Sequence, residues 1–189
     1  MPGPTHDPPP TIDWLPASDL ADGRAGRIGL TVLPGKHGPS VRYPGRIYRG
    51  DLATDLAALR AAGVARLVLL VDDAELARWG DSRIVERAGE LGIEVLRHPM
   101  PDGGTPADVA GMRAILSSLA EGRKVGDVAV ACMGGVGRSG TVAACALVEA
   151  GWLPDDAIRR LRAVRHRLAV ETTAQTAFVH LYYRDRGHP

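Results

Sequence analysis

The chain alternates short apolar runs with amphipathic segments, and this alternation constrains its fold more than any other feature. The apolar runs have the length and composition of buried strands and occupy residues 28–33, 65–71, 93–98 and 127–131. Segments with helical spacing separate them, at residues 51–63, 81–92 and 107–122. Strands that alternate with helices form parallel sheets, because each helix returns the chain to the start of the next strand. The sequence therefore predicts an α/β fold with a mainly parallel central sheet flanked by helices.

Length and composition indicate one folded domain. The 189 residues are enough to bury one core and too few for two large domains. Residues 1–27 begin with a proline-rich stretch and show little periodicity, so we expect a poorly ordered N-terminal segment. The domain is then predicted over residues 28–186. Three helices are expected to close it, at about Ser139 to Ala150, Pro154 to Arg165 and Glu171 to Arg184.

Charge, hydropathy and cysteine content argue against several classes of function. A formal net charge of +1 provides no overall basic field for nucleic acid or for an anionic membrane surface. No apolar run approaches the ~18 residues that a membrane span requires. Cys132 and Cys145 are too few for a disulfide framework, and a reducing cytoplasm would keep both as thiols. We therefore expect a cytoplasmic protein, most simply a monomer, with a thiol available for chemistry.

A glycine-rich loop follows the last strand and leads directly into an apolar helix. Its sequence is Cys132, Met133, Gly134, Gly135, Val136, Gly137 and Arg138, followed by Ser139. Three glycines allow the backbone to turn its N–H groups inward, and the helix N-terminus adds its positive end, so the loop can hold a phosphate-sized anion. The loop residues 133–138 are thus predicted to bind the phosphate of a substrate.

The ends of this loop carry the groups that could react with a bound phosphate. Arg138 offers planar donors that suit two phosphoryl oxygens. A cysteine beside an arginine at a helix N-terminus ionises easily, which makes Cys132 the candidate nucleophile. Ser139 can donate its hydroxyl to the sulfur and stabilise the thiolate. A plain glycine-rich turn with a buried cysteine, or a sulfur-carrier loop, would explain fewer of these features.

Asp102 is the candidate general acid. Functional loops gather at the carboxyl ends of parallel strands, and the strand at 93–98 ends in a loop whose one carboxylate is Asp102. An alkyl or aryl leaving group profits from a proton donor in phosphoryl transfer. The alternative is an aspartate that only hydrogen-bonds its own turn. Three further acidic residues, Asp72, Asp73 and Glu75, follow the strand at 65–71 and are interpreted as part of a solvated loop.

Together these residues resemble the dual-specificity branch of the cysteine-dependent protein tyrosine phosphatases, and within it most closely the cyclin-dependent kinase-associated phosphatases. The resemblance spans about residues 28–184 and includes IGLTVLPG, HPMPDGGTP, C-x2-G-x2-R-S and ETTAQ. It implies the cysteine phosphatase fold, with residues 28–186 as the catalytic domain, and assigns Cys132 as nucleophile, Arg138 as phosphate clamp, Asp102 as acid and Ser139 as thiolate support. It implies phosphorylated proteins as substrates and no metal or cofactor.

Two positions depart from the family pattern. Ala131 stands where the family usually has a histidine, so we expect a less acidic thiol at Cys132. Glu171 stands where tyrosine-specific relatives have a glutamine that positions water, so that role is doubtful here.

The sequence leaves open whether the enzyme accepts phosphoserine and phosphothreonine besides phosphotyrosine. A phosphate-binding pseudophosphatase and an inositol or lipid phosphate phosphatase remain alternatives, as does a redox role for Cys145. The arginines between residues 159 and 167 are interpreted as a solvated helix face.

Overall fold

The computed structural model describes residues 6–20 and 22–187. Residues 1–5 and 21 of the segment that the sequence predicts to be poorly ordered lie outside this part. The strands are β1 Asp13–Trp14, β2 Ile28–Val32, β3 His37–Pro39, β4 Ile47–Arg49, β5 Val64–Leu69, β6 Glu94–Arg97 and β7 Asp127–Cys132. The helices are α1 Ala17–Leu20, α2 Leu52–Ala61, α3 Asp73–Trp79, α4 Ile84–Glu90, α5 Val109–Gly122, α6 Arg138–Glu149, α7 Pro154–Val164 and α8 Thr173–Asp185.

The main sheet has five strands in the order β1-β2-β7-β5-β6. The four strands from β2 to β6 are parallel, and β1 adds an antiparallel strand at the edge beside β2. Each of the four apolar runs in the sequence forms one of the parallel strands. The prediction of an α/β fold with a mainly parallel sheet is confirmed.

Helices cover both faces of this sheet. One apolar cluster joins α5, α6, α7 and α8 to one face, and a second joins α2, α3 and α4 to the other. Alternate residues of β7 therefore point into different clusters, Val128 and Val130 into the first, Ala129 and Ala131 into the second. Burial on both faces explains why the run at 127–131 is apolar throughout rather than alternating. Within residues 6–20 and 22–187, no helix combines the length and apolar character of a membrane span.

The structure gives residues 13–20 a place in the domain that the sequence did not indicate. Asp13 and Trp14 pair with Leu30 and Gly29 of β2, and Leu15 and Leu20 are buried in the core. These elements have only two and four residues, so they are too short to show periodicity. The hairpin β3–β4 and helix α3 were also not predicted.

The topology brings the carboxyl ends of β2, β7, β5 and β6 to one edge of the sheet. In the β2–β7 pairing, Val32 is the partner of Cys132, and in the β5–β7 pairing Leu69 is the partner of Ala131. The loops that follow residues 32, 69, 97 and 132 therefore converge around the last residue of β7. Any site built from these loops lies at this edge.

Candidate active site

The glycine-rich loop, residues 132–138, runs from the end of β7 to the first turn of α6. Gly135 has a φ of +64°, and a Cβ there would lie 2.4 Å from the backbone oxygen of Thr31. Only glycine fits this approach to β2. Gly137 is the N-cap of α6 and provides no side-chain cap, so the N–H groups of the first turn can meet an anion. The loop has the form of an anion cradle.

Arg165 supports the loop from its outer side. Its guanidinium donates to the carbonyl oxygens of Gly135 at 3.0 Å and Gly134 at 3.1 Å, and pairs with Asp13 of β1 at 2.5 Å. Holding these carbonyls outward turns the N–H groups of the same loop inward, where Gly135 N–H donates to Cys132 Sγ at 3.2 Å. The interpretation of Arg165 as part of a solvated face is wrong, since its side chain is 9% exposed and belongs to the loop support.

Cys132 is buried at the base of the cradle, and the loop favours its ionised form. Burial opposes ionisation, but the charge of Arg138 and hydrogen bonds from Ser139 and from the backbone hold the pKa of Cys132 below its usual value. Ser139 Oγ is fully buried and accepts or donates no other hydrogen bond among the described residues, where it is left with no assigned partner, so its hydroxyl is available to the sulfur. The pKa of the Cys132 thiol is therefore lowered even though Ala131 stands at the position where the family usually has a histidine. The next two residues of the loop, Met133 and Gly134, are half-buried.

Arg138 is fixed by a buried carboxylate that the sequence interpretation placed in a solvated loop. Glu75 of α3 accepts two hydrogen bonds from it, at 2.6 Å from Nη1 and 2.7 Å from Nη2. Nη1 also donates to the backbone oxygen of Met100 at 3.0 Å. Glu75 is 8% exposed and completes a capping box with Asp72, the N-cap of α3. The interpretation of Glu75 as solvated is wrong, because α3 begins directly after β5 and turns this side chain under the loop.

Asp102 extends over the same arginine from the other side. Its Oδ1 accepts a hydrogen bond from Arg138 Nη2 at 3.0 Å, while its side chain as a whole is 82% exposed. Gly103, with a φ of +67°, lets the loop turn back toward Pro101. The carboxylate is therefore anchored at the edge of the crevice above Cys132 and is also open to a substrate.

The start of α8 connects the Asp102 loop to the cradle. Thr172 Oγ1 donates to Gly103 O at 2.9 Å, and Gln175 Nε2 donates to Gly104 O at 3.0 Å. A Cβ on Gly137 would lie 2.8 Å from Glu171 Oε2 and 3.1 Å from Gln175 Nε2. Glu171 thus lies against the glycine-rich loop, and its carboxylate forms an ion pair with Arg42. One short segment positions two loops.

The structure brings the four predicted residues, Cys132, Arg138, Asp102 and Ser139, into one crevice. Cys145 lies farther along α6 in the core, where burial raises its pKa above that of an ordinary thiol. Sequence reasoning missed the positioning roles of Glu75, Arg165 and Gln175. The ETTAQ motif was a signal for Gln175, but nothing local marks the other two. Among the described residues, no group of three or more His, Cys, Asp and Glu side chains could hold a metal ion.

A family model identifies the chain's relatives. The model of the cyclin-dependent kinase inhibitor 3 family matches residues 3–158, a span that contains the whole loop and Asp102. The chain belongs to this family. The rat cyclin-dependent kinase inhibitor 3 is 32% identical over 181 residues, covering 94% of this chain and 80% of the relative. The human protein is 30% identical over 178 residues, covering 93% and 79%.

Solved structures agree with this assignment. A crystal structure of kinase associated phosphatase, with its catalytic-site cysteine replaced by serine, superposes with a TM-score of 0.82 and 27% identity, covering 96% of this chain and 98% of that one. Tk-PTP in its active form gives a TM-score of 0.67 and 27% identity, covering 86% and 93%. The resemblance stated from the motifs is confirmed, and the chain is a protein phosphatase of the dual-specificity and tyrosine phosphatase class. The similarity reaches nearer the N-terminus than the motifs indicated.

Proposed function

We propose that this phosphatase hydrolyses phosphotyrosine in protein substrates by two displacements at phosphorus, with Cys132 as the nucleophile. In the first, the thiolate attacks phosphorus, the P–O bond to the tyrosine breaks, and Asp102 protonates the leaving oxygen. In the second, water attacks the cysteinyl phosphate, the P–S bond breaks, and Asp102 takes a proton from the water. Inorganic phosphate leaves, and Ser139 donates to the sulfur as it departs.

The observation that carries this proposal is the position of Arg138 between three groups. Glu75 fixes the guanidinium from below, Cys132 lies within range of its charge, and Asp102 contacts Nη2 from above. A phosphoryl oxygen that approaches Nη2 competes with Asp102 for it. Phosphate binding therefore releases the carboxyl group toward the leaving oxygen, which is where a general acid must be.

The phosphate itself is held by the loop from Met133 to Gly137. Its inward N–H groups and the N-terminus of α6 supply donors that are already in place before the reaction, so little reorganisation is needed as charge moves on the phosphoryl oxygens. We also propose a reducing, cytoplasmic location, because the mechanism needs Cys132 as a free thiol.

Replacement of Cys132 by serine tests the proposal. The variant keeps the cradle and Arg138, so we expect it to bind inorganic phosphate while its turnover of an aryl phosphate and of phosphotyrosine peptides is lost. Cys145→Ala removes the other thiol from the core and serves as the matched control, with activity retained. Turnover above about one hundredth of the native rate in Cys132→Ser would rule out the cysteine route, since a deleted nucleophile costs far more.

The same assay decides between the remaining functions. A native protein that binds phosphate without turning over any substrate is a pseudophosphatase. A native protein that hydrolyses inositol phosphates faster than every phosphopeptide is a phosphatase of that class. A panel of phosphotyrosine, phosphoserine and phosphothreonine peptides of one sequence shows whether the crevice also accepts the shorter residues.

A further inference from the structure

A second group of cations lies beside the crevice, on the chain that leaves β2. Val32 is the register partner of Cys132, and the tight turn from Leu33 to Lys36 follows at once. Lys36 N–H donates to Leu33 O at 3.2 Å, and Gly35 N–H donates to the buried carboxylate of Asp55 at 2.7 Å. The turn is therefore fixed, and it places Lys36 near enough to Cys132 for their charges to interact.

Lys36 and Arg46 share one aromatic side chain. Lys36 Nζ lies 3.8 Å from the centroid of the Tyr48 ring, and Arg46 Cζ lies 4.7 Å from it. Tyr48 is in β4, and Arg46 precedes it in the turn of the hairpin. Cation–π contacts hold both groups in place without neutralising either charge.

In the part of the chain that the structure describes, no carboxylate neutralises these two cations. Among the described residues, neither Lys36 nor Arg46 has an acidic side chain within ion-pair distance, whereas the neighbouring Arg42 pairs with Glu171. Two like charges held together repel each other and raise the local positive potential, so an added anion is attracted to the space beside them. The phosphoryl mechanism described above uses neither side chain.

The surroundings of the pair favour a protein as the source of that anion. On the same hairpin Val41, Tyr43 and Ile47 are 84%, 47% and 52% exposed. Exposed apolar side chains beside cations suit the mixed surface of a polypeptide, while a free inositol phosphate has no apolar groups to cover them.

We propose that Lys36 and Arg46, held against Tyr48, form a second anion subsite that binds the carboxylate of an Asp or Glu near the phosphorylated residue of a protein substrate. This inference rests on the proposed function and names its substrate class. The loop holds the phosphate, the subsite holds the carboxylate, and the hairpin contacts the polypeptide around it. Lys36 and Arg46 are then specificity-determining residues of this phosphatase.

The test compares pairs of phosphotyrosine peptides that differ only in Glu or Gln, with the acidic residue moved from three positions before the phosphotyrosine to three positions after it. For the best pair we expect native kcat/KM to be about fivefold higher with Glu, the size expected for a well-placed ion pair, and the ratio to fall with added salt. Lys36→Met and Arg46→Gln should each bring the ratio toward one. Because the ratio is taken within each variant, changes in overall activity cancel.

Arg60→Gln is the matched control. Arg60 is an exposed residue in the last turn of α2, which runs toward the amino end of β5 at the opposite edge of the sheet. The Arg60→Gln substitution removes one positive charge far from the crevice, so the preference for Glu over Gln peptides should remain as in the native enzyme. Ratios of one in the native enzyme, or ratios unchanged by Lys36→Met and Arg46→Gln, would overturn the subsite while leaving the proposed function intact.

Two further outcomes separate the subsite from the proposed function. If no phosphotyrosine peptide is hydrolysed in a Cys132-dependent manner, the proposed function fails first. If the native enzyme hydrolyses an inositol phosphate faster than any of the peptides and Lys36→Met lowers that rate selectively, the peptide carboxylate is not the occupant and the inference is overturned.

Discussion

Replacement of Glu75 by glutamine tests whether a buried carboxylate positions the phosphate clamp. Glu75 accepts two hydrogen bonds from Arg138, and both side chains are buried. A hydrogen bond to a charged group contributes about 1.5–3 kcal/mol, and removal of one partner from a buried ion pair costs about 3–5 kcal/mol. Glutamine keeps one acceptor but turns an NH₂ group toward the guanidinium. We expect the free energy of unfolding to fall by about 2–4 kcal/mol.

The same change affects catalysis through two opposing effects. Removing a negative charge below Arg138 strengthens its attraction for phosphate. It also releases the guanidinium, which keeps Leu70 O, Met100 O and Asp102 as partners, and we expect the guanidinium to move toward the exposed carboxylate of Asp102. Misplacement of a positioning group by about 1 Å can lower a rate ~10²-fold. We expect this effect to dominate, so kcat/KM for an aryl phosphate should fall ~10²-fold.

Asp72→Ala is the control for Glu75→Gln. Asp72 Oδ1 accepts from the Glu75 N–H at 2.8 Å, so the variant disrupts the same capping box without removing a contact of Arg138. Loss of an N-cap costs about 1 kcal/mol, and kcat/KM should stay near the native value. Thermal unfolding, aryl phosphate kinetics and inhibition by inorganic phosphate are measured on all three proteins. Tighter phosphate inhibition with unchanged kcat in Glu75→Gln would refute the positioning argument.

Three other substitutions test separate parts of the site. Asp102→Ala should slow phosphotyrosine hydrolysis ~10²–10⁴-fold, most for poor leaving groups, and flatten the basic limb of the plot of kcat/KM against pH. The acidic limb should keep its midpoint below the ordinary thiol pKa of ~8.5, because the loop lowers the pKa of Cys132. An unchanged basic limb would make Asp102 a loop-shaping residue only. Arg165→Met should lower kcat/KM by ~10–100-fold, the range typical for loss of a residue that orients a functional group from outside the site. Unaltered kinetics would show that the contacts of Arg165 with Asp13 and with the loop are not needed for activity. Gly135→Ala should abolish phosphate binding, measured by calorimetry, because its Cβ meets Thr31 O at 2.4 Å in a left-handed backbone; native affinity there would contradict the cradle geometry.

The predicted site residues that the structure places together share a local signal. Cys132, Arg138 and Ser139 lie within one strand–loop–helix unit, and Asp102 is the one carboxylate in a loop at the correct end of a strand. Both arguments depend only on neighbours in the chain and on the rule that parallel strands end at one edge. The parallel strands and the main helices were predictable for the same reason, since the hydrophobic pattern that indicates each of them lies within its own segment.

The residues that sequence reasoning missed depend on contacts between distant segments. Glu75 meets Arg138 across 63 residues, and Arg165 meets Asp13 across 152. A glutamate after a strand and an arginine in a basic helix are normally exposed, so composition predicts a solvated face in both cases. What reversed this expectation was topology, because β5 lies next to β7 and β1 packs at the sheet edge beside β2. Neither neighbour relation can be derived from spacing along the chain.

Glu75 also affects which groups must balance the charge of a bound phosphate dianion. It neutralises much of the charge of Arg138, and Asp102 lies against the same guanidinium. We therefore expect Arg138 to orient a bound phosphate more than it attracts it. In the proposed mechanism the remaining attraction comes from the inward N–H groups of the loop and from the N-terminus of α6. We therefore expect Arg165, which contacts the loop from its outer side, to matter to the chemistry. In the proposed mechanism it orients the peptide dipoles that carry the electrostatic part of binding, while Arg138 and Glu75 set the geometry of transfer.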